Sequence, residues 1–153
     1  MAKKNEDTIL AAIIKFIESF PDLAEMKELF PVEVEAESLG SEAKAYVVET
    51  EPINPVVKKY LDGSGVFRYA FVFASRERFD RDTIENLKNN GFYEQFSDWI
   101  ESCNKSGNLP ELRQGLEAKD IKVTTTPYVF DTTATTARYQ IQGVLTYYKE
   151  KEN

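Results

Sequence analysis

The chain has 153 residues, 42% of them hydrophobic and 29% charged, which is the composition of a globular domain large enough to bury a core. Its formal net charge of −7 argues against a nucleic-acid-binding protein, whose surface is normally basic. The absence of histidine excludes Ser-His-Asp and Cys-His catalytic sites, and one cysteine cannot form an internal disulfide. We therefore expect a single domain over residues 1–153, made in the cytoplasm, with no enzymatic activity, cofactor, metal or membrane span.

The N-terminal segment carries the pattern of an amphipathic helix. Apolar residues recur at spacings of three and four, which predicts a helix over residues 7–19 with Asp7 as its N-cap. Pro21 cannot continue a helix and is expected to end this one. One or two further helical turns are predicted within residues 22–30.

An acidic strand is predicted next. Apolar and acidic residues alternate over residues 32–37, which places Glu33, Glu35 and Glu37 on one face of a half-exposed strand. A second strand is predicted over residues 43–50, and a hairpin is the simplest pairing of the two. The three glutamates could bind a hard cation, but a row along one strand face does not converge into a cage, so a solvated acidic face is favoured.

The most apolar stretch, residues 63–79, predicts a long strand at the centre of a sheet. Aromatic residues take one face and small aliphatic residues the other: Phe67, Tyr69, Phe71 and Phe73 against Val66, Ala70, Val72 and Ala74. An apolar set on each face predicts burial on both sides, with Phe71 as a core anchor. The preceding residues, 56–61, could form one helical turn. Residues 62–65, Asp-Gly-Ser-Gly, are glycine-rich like a phosphate-binding loop, but they lead into a strand, which favours a simple turn.

Two helices are predicted after this strand. The first covers residues 80–90, Gly91 is expected to break it, and the second ends at Gly107. Trp99 and Cys103 both fall on the apolar stripe of the second helix. We expect Trp99 to be a core anchor and Cys103 to be a buried structural thiol, because no base that could activate it is apparent.

The last third of the chain is predicted to be β-structure. Residues 119–123 and 127–130 form one strand or two halves of one, and residues 131–134 are a candidate turn. Strict alternation over residues 137–147 predicts a further strand, in which Gly143 marks a bulge or a close approach of another group. The predicted fold is therefore α+β, with a largely antiparallel mixed sheet and helices packed on one face.

Basic residues cluster around the start of the long central strand. Lys58 and Lys59 are either a solvated pair or half of an interface, and Arg68 follows them in the strand. These cations and the glutamate strand carry opposite charges on separate elements. A head-to-tail contact joins two different patches in this way, and it closes into a ring when the rotation between subunits allows.

Several phrases of the sequence resemble a known family over nearly the whole chain. They are INPVVKKYLDGS at residues 53–64 with YAFVFASRE at 69–77, NNGFYEQFSDWIE at 89–101 with GNLPEL at 107–112, and ARYQIQGVLTYY at 137–148. The family consists of small proteins encoded in phages and prophages of Gram-positive bacteria and usually labelled minor capsid proteins. It resembles in turn the tail terminators of long-tailed bacteriophages, small α/β proteins that form a hexameric ring at the top of the tail tube.

The resemblance implies a structural virion protein at the head–tail junction, assembled in the host cytoplasm. Such a ring would stop tail polymerisation and would contact other copies of itself, the tail tube protein and the head–tail connector protein. DNA would pass through its lumen without sequence-specific binding, and no membrane would be involved. The alternatives are a neck or connector protein on the head side and an enzyme or resistance factor, the last of which the missing histidine disfavours.

The resemblance to the family identifies no site residues. The candidate positions are therefore chosen by their charge. The candidate subunit interface comprises Lys58, Lys59 and Arg68, and the candidate acidic face toward solvent or lumen comprises Glu33, Glu35 and Glu37. No catalytic, cofactor-binding or metal-binding residues are predicted.

Overall fold

A computed structural model describes residues 8–23, 34–36, 45–78, 83–132 and 136–151. Its helices and strands follow the chain as α1 (Ile9–Glu18), β1 (Val34–Ala36), β2 (Ala45–Glu51), β3 (Val56–Lys59), β4 (Gly65–Arg78), α2 (Thr83–Ser106), β5 (Leu116–Val123), β6 (Tyr128–Thr132) and β7 (Thr136–Lys149). The described strands form one sheet that is antiparallel except where β1 joins it, so the predicted α+β class is confirmed.

Two long strands form the middle of the sheet. β4 and β7 have 14 residues each and pair antiparallel along their full lengths, from Gly65 opposite Lys149 to Arg78 opposite Thr136. Two shorter strands line each outer edge of this pair: β2 and β3 lie along β4, and β5 and β6 lie along β7. β3 pairs with the first residues of β4 and β6 with the first residues of β7, so these two strands occupy diagonally opposite corners of the sheet.

The helices build the main core on one face of the sheet. Apolar residues of α1 and α2 meet one set of alternate strand residues in a single cluster that includes Ile13, Phe16, Ile17, Tyr46, Phe71, Phe73, Phe96, Ile100, Ile121, Ile141 and Leu145. The opposite strand face carries a smaller buried cluster of Val47, Val72 and Ala74. The predicted division of β4 into an aromatic face and a small aliphatic face is therefore confirmed.

The N-cap of the first helix lies one residue later than predicted. Thr8, not Asp7, is the N-cap, because its Oγ1 accepts a hydrogen bond from the Ala11 N–H at 3.0 Å. The helix ends at Glu18, and the Ser19 hydroxyl donates to the Phe16 carbonyl oxygen at 2.5 Å.

The predicted helix break at Gly91 is wrong, because α2 continues through this residue to Ser106. Glycine costs about 1 kcal/mol in a helix interior, which tertiary packing can outweigh. Directly after the glycine, Tyr93 and Phe96 pack on Phe73 of the sheet, with ring centroids 5.7 and 4.9 Å apart. The predicted end of the helix is confirmed, since Gly107 has a positive φ of 78°.

Residues 56–61 do not form a helical turn; β3 pairs antiparallel with β4 instead. The Asp62-Gly63 turn allows this because Gly63 adopts a φ of 94°, which suits glycine and reverses the chain. Residues 56–78 are thus one β-hairpin, here called the β3–β4 hairpin.

The predicted hairpin of the first two strands is also wrong, because β1 pairs parallel with β2. The register aligns Val34 with Tyr46 and Ala36 with Val48. Alternation of apolar and polar residues predicts which face a strand buries, but it is the same for both directions of pairing.

Two strands, not one, follow the α2 helix. β5 and β6 lie end to end along the same edge of β7, separated by residues 124–127. The candidate turn at residues 131–134 is corrected in part, because Asp131 and Thr132 belong to β6 and pair with Arg138 and Ala137.

Candidate subunit interface

The turn of the β3–β4 hairpin is held by a dense set of hydrogen bonds. The Tyr60 N–H donates to the Ser64 carbonyl oxygen at 2.9 Å, and the Gly63 N–H donates to the Tyr60 carbonyl oxygen at 3.1 Å. Asp62 Oδ1 accepts from both the backbone N–H and the hydroxyl of Ser64, at 2.9 and 2.6 Å, and these bonds lower the pKa of the Asp62 carboxyl. The turn is therefore a fixed structure and not a loose loop.

This fixed turn presents apolar side chains to solvent. The exposed group, here called the hairpin patch, consists of Val56, Val57, Tyr60 and Leu61. Val57 is 55% exposed, and Leu61 at the tip is 110% exposed, as open as in an extended chain. Scattered apolar side chains are normal on a protein surface, but several together on one projecting hairpin indicate an interaction site.

The three predicted basic residues lie on this same hairpin. Lys58 and Lys59 belong to β3, where every residue is exposed, and the Lys58 Nζ lies 5.2 Å from the centre of the Tyr60 ring. Arg68 in β4 donates from Nε to the Asn54 carbonyl oxygen at 2.7 Å, which fixes the chain just before β3. The structure thus brings these cations together with the hairpin patch at one corner of the sheet.

The predicted acidic face falls largely outside the described residues. Glu33 and Glu37 are not among them, and Glu35 is placed only by its backbone, which pairs with Val47 of β2. The acidic face of Glu33, Glu35 and Glu37 thus stays a prediction.

A different acidic surface lies at the opposite edge of the sheet, halfway along β7, where Thr125 bonds to Gln142. A cleft of about 460 Å³, here called the acidic cleft, separates α2 from the β5–β6 connection and is lined by Glu94, Ser97, Asp98, Thr125, Thr126 and Pro127. Tyr93 fixes the helix wall by donating its hydroxyl to the Tyr139 carbonyl oxygen at 3.3 Å. Thr125 fixes the other wall by accepting from the Gln142 N–H at 3.1 Å.

Two apolar residues of β6, the strand that follows this cleft, are exposed. Val129 of β6 is 45% exposed, and its backbone pairs with Tyr139, the residue that holds the helix wall. Phe130 is 63% exposed and lies under the Arg138 guanidinium, 5.4 Å from ring centre to Cζ. The Phe130 ring and the carboxylates of the cleft therefore lie on opposite faces of the sheet.

The acidic cleft was not predicted from the sequence. Glu94 and Asp98 are four residues apart, so they lie on one face of any helix that contains both. That pairing could have been read from the sequence. The second wall could not, because it depends on residues 125–127 returning against α2.

The sheet face opposite the helices carries a polar network. Arg138 forms a bidentate ion pair with Glu49 across β4, at 3.1 and 3.0 Å. Its Nε donates to Gln140 Oε1 at 2.9 Å, and the Gln140 amide donates to the Tyr128 hydroxyl at 2.5 Å. This network fixes side chains above the small residues of β4.

Cys103 is buried as predicted. The thiol is 4% exposed within the main core, and burial raises its pKa, which disfavours the reactive thiolate. Among the described residues, no group of three or more His, Cys, Asp or Glu side chains could hold a metal ion. None of the described helices is long and apolar enough to cross a membrane.

Comparison of the chain with protein-family models and with curated proteins finds no match.

Proposed function

We propose that this chain is a structural protein of a bacteriophage virion, a tail terminator that forms a ring on the tail tube. The ring stops tail polymerisation and joins the tail to the head. It is built from six copies, contacts the tail tube protein and the head–tail connector protein, and lets DNA pass through its lumen. The sequence resemblance to phage minor capsid proteins supports the class, and the surface of the folded chain supports the ring.

The main structural support for a ring is the position of two unlike surfaces on each subunit. The hairpin patch with its lysines lies at one corner of the sheet on the β4 edge, and the acidic cleft lies on the opposite edge, halfway along β7. A symmetric dimer uses the same patch on both subunits, whereas a ring joins two different patches on each subunit. Two complementary surfaces on opposite edges of the sheet suit the second arrangement.

The charge of the chain supports a conduit for DNA more than a DNA-binding surface. With a net charge of −7, the assembled ring is acidic, and an acidic wall does not bind the phosphate backbone. Glu33, Glu35 and Glu37 are the proposed lining of that wall.

The proposed function is tested in the phage or prophage that encodes the chain. Deleting the gene should give tails of irregular length without heads, seen by negative-stain electron microscopy. The wild-type gene should restore joined particles, whereas Lys58→Glu/Lys59→Glu should not. A matched control is Lys105→Glu/Lys119→Glu, which reverses two exposed lysines elsewhere and should restore them.

Two results would contradict the proposal. Tails of normal length, joined to heads in the deletion strain, would show that the chain terminates nothing. A twelve-fold collar of this chain on the head side of the particle would assign it to the neck or connector instead.

A further inference from the structure

We propose that the β3–β4 hairpin of one copy docks into the acidic cleft of a second copy. Leu61 packs against Pro127 of the cleft lining, and the flexible Lys58 and Lys59 side chains lie beside Glu94 and Asp98. The inference rests on the proposed ring for the identity of its occupant, another copy of this chain. It adds the two surfaces that meet and the residues that pair.

The hairpin is suited to insertion because it is already ordered. Four hydrogen bonds among Tyr60, Asp62, Gly63 and Ser64 fix the backbone on both sides of Leu61. A fixed segment loses little conformational entropy when it binds, so more of its contact energy is retained as affinity. An exposed leucine at the tip of a rigid hairpin provides an apolar anchor, and Pro127 is the apolar residue of the cleft lining that it can cover.

The cleft is suited to receive a basic hairpin. Glu94 and Asp98 are exposed and lie on the same face of α2, where like charges four residues apart repel. Within the described part of the chain neither carboxylate has a basic partner. Two lysines from a docked hairpin would relieve this repulsion. The volume of about 460 Å³ lies within the range of clefts that hold compact ligands.

The placement of the two surfaces sets the symmetry of the contact. The hairpin lies on the β4 edge of the sheet and the cleft on the β7 edge, so no subunit can insert its hairpin into its own cleft. Each copy therefore donates a hairpin to one neighbour and receives one from the other. This contact is head-to-tail and continues from subunit to subunit until the ring closes.

The test is cysteine cross-linking of purified chains at high protein concentration. One chain carries Leu61→Cys, and a differently tagged chain carries Thr126→Cys; both substitutions are at exposed positions. Native Cys103 stays in every variant because it is buried, and the wild-type chain gives the background. The matched control replaces Thr126→Cys with Lys105→Cys, an exposed position near the far end of α2.

We expect the Leu61→Cys and Thr126→Cys chains to form a disulfide-linked heterodimer at least ten times faster than Leu61→Cys with Lys105→Cys. A single chain carrying both Leu61→Cys and Thr126→Cys should form a ladder that ends in one closed species. Equal rates for the two pairs would overturn the docking. Preferred Leu61→Cys homodimers would overturn its head-to-tail form.

Charge reversal tests the paired residues directly. Adding Lys58→Glu/Lys59→Glu to the Leu61→Cys chain should slow the cross-link at least tenfold, and Glu94→Lys/Asp98→Lys on the Thr126→Cys chain should restore it. Failure of the second pair to rescue the first would overturn the pairing. These reactions contain no virus particles, so a cross-link without a tail phenotype would contradict the terminator function and leave the docking intact.

Discussion

The ring of Phe71 occupies the space that a side chain at Gly143 would need. The two residues are register partners on β4 and β7, and a Cβ at residue 143 would lie 2.5 Å from Phe71 Cζ. The same Cβ would lie 2.9 Å from the Lys122 carbonyl oxygen, so moving the ring alone would not relieve the contact. Glycine at this position therefore allows an aromatic core residue to lie flat against the neighbouring strand.

Gly143→Ala should lower the free energy of unfolding by about 1–3 kcal/mol, because the added methyl group overpacks the core. Urea denaturation of the purified chain measures the change. Gly91→Ala is the matched control, since a Cβ there meets nothing within 4 Å and alanine favours a helix by about 1 kcal/mol. A stabilised Gly143→Ala variant would contradict the close approach.

Phe71→Ala and Trp99→Ala should lower the free energy of unfolding by different amounts, because Phe71 lies in the sheet core and Trp99 in the contact between the helices. Phe71 is fully buried, so its truncation should cost about 3–5 kcal/mol. Trp99 was predicted to anchor the helix on the sheet, but it is half-buried and stacks on Phe16 of α1, with ring centroids 4.9 Å apart. Its truncation should cost less than about 3 kcal/mol. Equal losses in urea denaturation would show that Trp99 is as deeply anchored as Phe71.

The two central strands could be predicted because their side chains alternate between the two faces of the sheet. Alternation over residues 63–79 and 137–147 predicted β4 and β7, and of the two roles predicted for Gly143, a bulge or a close approach, the structure shows the close approach. β3 was missed although an Asp-Gly turn between apolar runs is a strong hairpin signal. That turn also places Lys58 and Lys59 on an exposed strand. The hairpin side of the candidate interface could therefore be predicted from the sequence.

The remaining features depend on contacts distant in sequence. The parallel pairing of β1 with β2 could not be predicted, because the alternation of apolar and polar residues is the same in parallel and antiparallel strands. The continuity of α2 through Gly91 depends on aromatic packing against the sheet. Local helix propensity does not predict such packing. The acidic cleft likewise requires residues 125–127 to fold back against α2.

Cys103 should react slowly with a thiol reagent such as DTNB at neutral pH. Burial raises its pKa above the ordinary value of 9.0, so the native chain holds little thiolate, whereas the urea-unfolded chain should react at once. Fast labelling of the native chain would show that the thiol is accessible.

Stability should also fall at alkaline pH. Burial raises the pKa of both Cys103 and Tyr147 in the folded state, from ordinary values of 9.0 and 10.0. The unfolded chain therefore loses these protons first, so the stabilisation is complete below pH 9 and is lost as the pH rises through the folded values. Cys103→Ala removes the thiol and should reduce the alkaline slope of the unfolding free energy, while Tyr147→Phe should reduce the part that begins near pH 10.

Arg138 and Glu49 should show a measurable coupling in a double-mutant cycle. Their bidentate pair crosses β4, and the Arg138 side chain is only 13% exposed, so solvent screens the interaction weakly. Arg138→Ala should cost about 2–3 kcal/mol, more than Glu49→Ala, because Arg138 also donates to Gln140 and lies over the Phe130 ring.

The cycle is completed by the Arg138→Ala/Glu49→Ala variant, with urea denaturation as the measurement. A coupling energy of about 1–2 kcal/mol is expected, since each single variant leaves one charge without its partner. The exposed pair of Lys105 and Glu101 on α2 is the control and should couple by less than about 0.5 kcal/mol. The Arg138 coupling should also persist in 1 M salt, because a partly buried pair is shielded from the ions that screen surface charges. A coupling that vanishes in salt would place the Arg138–Glu49 pair with the surface pairs and show that it does not fix the polar face of the sheet.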